Sequence, residues 1–79
     1  MSFKIFGDIA THFQIRIDYA DTTTNYYGLA SPGRTTSEAA WQIRKETLDS
    51  QGRTTLIQFA GSTHQCNQVW DNRATLSYG

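Results

Sequence analysis

The 79 residues leave room for one domain, and a chain of that length buries only roughly 60 to 65% of the surface it exposes when unfolded, so its stability margin is thin. Seven basic residues, Lys4, Arg16, Arg34, Arg44, Lys45, Arg53 and Arg73, balance seven acidic ones and are scattered along the chain, which argues against a phosphate-binding stripe and leaves no net repulsion between copies. Cys66 is the single cysteine, which excludes an internal disulfide framework and fits a reducing compartment, with a buried or idle thiol the expectation.

Met1 to Phe6 carries Lys4 ahead of Ile5 and Phe6, but Gly7 and Asp8 end the apolar run too soon for a signal peptide. Nothing approaches the length of a membrane span, so the chain is expected to be made in, and to stay soluble in, the cytoplasm of the cell that expresses it. Residues 1–10 lie outside the alternating pattern and read as an assembly-contacting segment through Phe3, Ile5 and Phe6.

Phe13, Ile15, Ile17 and Tyr19 alternate with Gln14, Arg16 and Asp18, a period of two that predicts a strand with the apolar set on the dry face. Ala20 to Asn25 is a polar turn, because Asp and Asn side chains bond their own backbone. A second strand is expected over Tyr26 to Ala30. Adjacent strand residues point to opposite faces, so one of Tyr26 and Tyr27 should be outside and available to a partner.

Ser31-Pro32-Gly33-Arg34 is the strongest break, since Pro32 presets φ and Gly33 can take the positive φ of a type II turn. From Ser37 to Leu48 two readings compete. Ser37 with Glu38, Ala39 and Ala40 could open a helix. Trp41 and Ile43 alternating with Gln42 and Arg44 favour a strand, which would place both apolar side chains in the core and end at the turn Asp49-Ser50-Gln51-Gly52. Thr54 to Phe59 is β-branched and aromatic and should return as the next strand. Gly61 to Gln68 reads as a loop, with one helical turn before Val69 an alternative. Trp70-Asp71-Asn72-Arg73 reads as a corner in which Asp71 and Arg73 would pair. Ala74, Leu76 and Tyr78 against Thr75 and Ser77 predict a last short strand.

Five short strands without a long helix or a repeat make an all-β domain, a small antiparallel sandwich or partly open barrel, with sheet edges free to meet other chains. The catalytic groups that such a chain would need are not arranged in any known pattern. His12 and His64 are outside motifs, no serine sits in a Gly-x-Ser-x-Gly elbow, and no phosphate loop occurs. His12, His64 and Cys66 make too thin a set for a metal. The expectation is therefore no enzyme, no cofactor, no metal and no small-molecule substrate. Two Trp, four Tyr and four Phe could stack bases, but their alternating positions suit a minimal core better, and no nucleic-acid or membrane partner is expected.

From Tyr27 onward the order Tyr27, Ala30, Pro32, Gly33, Ser37, then Trp41 and Ile43, Gly52, Ala60 and Gly61, and last Trp70, Asp71, Arg73 and Tyr78 resembles small virion proteins of tailed bacteriophages. In that family an Asp-rich loop precedes the second tryptophan, whereas here the loop is Ser62-Thr63-His64-Gln65-Cys66-Asn67-Gln68. The resemblance implies a virion structural or accessory component of head, neck or tail, localised to the particle. It would contact other virion proteins and copies of itself, with Pro32, Gly33, Trp41, Ile43, Trp70, Asp71 and Arg73 structural and Phe3, Ile5, Phe6, Tyr26 and Tyr27 facing partners. A host-directed phage binding module is the alternative.

Overall fold

The β-branched and aromatic runs pair as antiparallel strands in the computed structural model, which describes residues 13–79. Strands β1 (Gln14–Asp21), β2 (Thr24–Ala30), β3 (Ala39–Leu48) and β4 (Thr54–Phe59) follow one another in space as in sequence. A two-residue β5 (Gln68–Val69) pairs with the start of β3, and a 3-10 turn (Trp70–Asn72) follows it. The domain is all-β and antiparallel, and the sheet is not closed into a barrel. Residues 1–10, expected to reach partners, lie outside the described residues.

The turns between the four long strands are fixed by aspartate side chains that bond their own backbone or by glycines at positive φ. Asp21 Oδ1 accepts the Thr23 amide at 2.8 Å and its hydroxyl at 3.0 Å. Gly33 takes φ +85° while the Arg34 amide reaches the Ser31 carbonyl at 3.4 Å, as the type II reading requires. In the β3 to β4 turn, Gly52 has φ +79°, and Asp49 Oδ1 accepts the amides of Gln51 and Arg53, both at 2.9 Å. The helix alternative over Ser37 to Leu48 is excluded: β3 occupies ten of those residues, because Trp41 and Ile43 must reach one face together.

That face carries the core. Trp41, Ile43, Ala30 and Ala60 are fully covered, with Tyr26 and Trp70 nearly so, and Ala40, Leu76 and Tyr78 pack at the margin. The Trp41 and Trp70 rings lie 5.9 Å apart, tilted by 38°. They sit over the backbone of Gly28, where a Cβ would fall 2.5 Å from Trp70 Cε3 and 3.0 Å from Trp41 Cε3. Only glycine lets two indoles close on a strand in this way. Trp41 Nε1 donates to the Thr35 carbonyl at 3.0 Å, so its polar edge is satisfied as the ring is buried.

Three expectations are corrected here. The side of β1 that faces the core is Gln14, Arg16 and Asp18, paired across to Ala30, Gly28 and Tyr26, and Ile15, Ile17 and Tyr19 stand on the other side. Alternation gives the period of a strand, but which side is covered depends on where the tail after β5 lies. Arg73 does not pair with Asp71: its Nε donates to Asp18 Oδ2 at 2.9 Å, its Nη1 to the Trp70 carbonyl at 3.1 Å, and its guanidinium lies 4.6 Å over the Trp70 ring. Residues 73–79 form turns instead of a full strand, because Tyr78 OH is held by the Arg73 carbonyl at 2.8 Å. The last residues still meet the sheet at the end of β4, through an Ala60 to Tyr78 bridge and the backbone bonds that Phe59 exchanges with Gly79.

Candidate functional site

The second side of the sheet is apolar too. Its pairing register aligns side chains in rows across the strands: Ile15, Leu29 and Gln42, then Ile17, Tyr27, Arg44 and Phe59, then Tyr19, Asn25, Glu46 and Ile57. Ile15, Ile17 and Ile57 remain about half exposed at 52%, 50% and 52%, and Tyr19 is 73% exposed. Ile15, Leu29, Tyr27, Arg44, Glu46 and Ile57 line a shallow depression of about 370 Å³ on this face.

Polar groups within it are held in place. Glu46 accepts Asn25 Nδ2 at 2.9 Å and Tyr27 OH at 2.6 Å on one carboxylate oxygen, and the Thr54 hydroxyl on the other. The Thr54 bond, followed by those of Tyr27 and Asn25, holds the Glu46 carboxyl below its ordinary value, while the same Glu46 bond pushes the Tyr27 phenol up. Tyr27 thus stays a proton donor and Glu46 an ionised acceptor across neutral pH, so this pair fixes geometry instead of moving protons. Arg44 spends Nε on Gln42 Oε1 at 3.0 Å and lies 5.2 Å over the Phe59 ring. Gln42 in turn ties down the 61–67 loop by donating to the His64 carbonyl at 2.6 Å.

The residues expected to meet partners divide. Tyr27 stands on the open face. Tyr26 does not: it is 8% exposed and packs against the Tyr78 ring at 5.9 Å, since its register with Asp18 turns it to the core. Phe3, Ile5 and Phe6 lie outside the described residues, as does His12. Trp41, Ile43 and Trp70 are core, while Pro32 and Gly33 are exposed at their turn and Asp71 is exposed. Cys66 is exposed on the loop, not buried. Among the described residues no three His, Cys, Asp or Glu side chains converge as a metal site, and no helix is long and apolar enough to cross a membrane.

Of the open face only Tyr27 was expected from the sequence; Ile15, Ile17, Tyr19, Arg44 and Ile57 are among the members it did not reveal. A signal was present in β2, where Tyr26, Gly28 and Ala30 alternate with Tyr27 and Leu29, so that both sides are apolar. Adjacent Leu56 and Ile57 repeat it in β4. A strand apolar on both sides belongs to a sheet meant to be covered twice. Comparison with protein-family models, curated proteins and solved structures finds no match to this chain.

Proposed function

We propose that this domain is a non-enzymatic module that works by protein–protein contact, as a structural or accessory component of a tailed-phage particle. The observation that carries the contact reading is the sheet side that the described residues leave uncovered, where Ile15, Ile17, Tyr19 and Ile57 surround a pre-arranged Tyr27 and Glu46. Large apolar side chains grouped at a surface and interleaved with polar ones are the mark of an interaction site. The particle assignment rests on the residue order from Tyr27 to Tyr78, and the contacts it implies are with other virion proteins and with copies of this chain. No cofactor, nucleic acid, membrane or small-molecule substrate enters this reading.

The test is mass spectrometry of washed particles from a phage carrying the gene, beside particles made with the Ile17→Lys chain. The wild-type chain should be found at a fixed copy number, and the variant should be lost from particles while remaining folded in isolation. Absence of the wild-type chain from washed particles would overturn the particle assignment and favour a host-directed binder. Retention of the variant would show that another surface makes the contact.

A further inference from the structure

We propose that the open side of the sheet is covered by the same side of a second copy, related by a two-fold axis that runs across the strands between two of the rows. This deepens the contact reading by naming the partner, and it rests on that reading.

The rows supply the argument. Ile17, Tyr27, Arg44 and Phe59 form one row and Tyr19, Asn25, Glu46 and Ile57 the next, each in strand order β1 to β4. A two-fold axis between them lays each row over the other row of the second copy. Ile17 then meets Tyr19, Tyr27 meets Asn25, Arg44 meets Glu46 and Phe59 meets Ile57, and every pair occurs twice. Within these two rows apolar side chains fall on apolar ones, hydrogen-bonding ones on each other, and cation on anion, while the row of Ile15, Leu29 and Gln42 lies toward the rim, over the β1–β2 turn of the second copy.

Arg44 selects among occupants. Among the described residues its side chain makes one hydrogen bond, from Nε to Gln42, so the terminal guanidinium nitrogens are left for water or a partner. A wholly apolar partner would strip that water and return nothing, which disfavours burial of the face. The partner must bring an acceptor to the position above Arg44, and this chain carries one two residues along the same strand, already aimed by Asn25, Tyr27 and Thr54. The formal net charge of zero adds no repulsion between copies.

The shape agrees. The described residues form a slab of 36 × 31 × 19 Å with its core on one side of the sheet only. Four strands about 4.8 Å apart, with about six residues each at about 3.3 Å, give a footprint of about 400 Å² in projection. That is smaller than the ~800 Å² per partner of a standard interface, which places the dimer at the small end of the range. Two such sheets packed face to face make a sandwich with strands crossing at about 30°, which keeps the central Tyr27, Asn25, Arg44 and Glu46 closest to the axis.

The test is sedimentation equilibrium of the full chain with a pair of charge variants, Arg44→Glu and Glu46→Lys. The wild type should be a dimer. Each variant alone places like charges over one another and should weaken self-association by about a hundredfold. An equimolar mixture of the two should recover a heterodimer, since both opposed pairs are then of opposite sign. Because Glu46→Lys also removes three intramolecular hydrogen bonds, far-UV circular dichroism checks its fold, and Ile17→Lys, which leaves those bonds intact, should give a folded monomer as well. A wild-type monomer, a mixture that stays monomeric, or a dimer indifferent to Ile17→Lys would each overturn the proposal. A monomer in solution whose incorporation into particles still depends on Ile17 would leave the contact reading standing, with the face taken by residues 1–12 or by a different protein.

Discussion

Replacing Gly28 by alanine tests how the core closes. The added methyl would sit 2.5 Å from Trp70 Cε3 and 2.6 Å from Cζ3, against an ordinary carbon–carbon contact of about 3.5 to 4.0 Å. The indole would have to retreat by about 1 Å, and it is confined by the Arg73 guanidinium 4.6 Å over the ring and by the Trp41 ring at 5.9 Å. Overpacking of this kind costs about 1 to 3 kcal/mol, while loss of glycine's unfolded-state freedom returns about 0.4 to 1 kcal/mol. The net loss expected is about 1 to 2 kcal/mol, a large part of the ~4 to 12 kcal/mol that a chain of this length holds. Urea unfolding followed by tryptophan fluorescence measures it, and the near-UV circular dichroism of the paired indoles should change in the folded state. A second change, Trp70→Leu, should cost less in the Gly28→Ala background than in the wild type, because the clash disappears with the ring. If Gly28→Ala is as stable as the wild type with its near-UV signal unaltered, the indoles do not rest on Gly28.

Further outcomes follow from the ties around this core. Asp18→Ala and Arg73→Ala should couple by about 1 kcal/mol in a double-mutant cycle, since the pair is partly shielded and pins the tail to β1; additivity would refute the tie. Burial first, then the neighbouring Tyr26, pushes the Tyr78 phenol up to about 12 from an ordinary 10. A raised folded value means the native state is favoured below pH 10 and loses that contribution as pH climbs toward 12, and Tyr78→Phe should flatten the alkaline limb of a urea-midpoint profile. At the acid end, the Arg53 amide and then the Gln51 amide hold the Asp49 carboxyl below its ordinary value. Its contribution is complete above the ordinary carboxylate range and is lost as pH falls through the depressed value, so Asp49→Asn should shift the acid limb of the same profile.

Local chemistry was legible in the residues themselves. The turn at Pro32 and Gly33, the Asp49 to Gly52 turn and the burial of Trp41 and Ile43 follow from φ preferences, side-chain-to-backbone bonding and a period of two, all of which act over a few residues. The face of β1 was not legible, because Ile15, Ile17 and Tyr19 alternate with Gln14, Arg16 and Asp18 in the same way whichever side is covered. That choice was made 55 residues away, where Arg73 reaches Asp18 and Tyr78 packs on Tyr26. The tail closes over Gly28 because it is the one position in β2 that admits an indole, and once Trp70 rests there the opposite side of the sheet has no cover among the described residues. The turns and the periods of β1, β2 and β4 are thus written locally in this sequence, whereas the path of the tail, the pairing of β5 and the identity of the open face depend on contacts between distant segments, which no local pattern encodes.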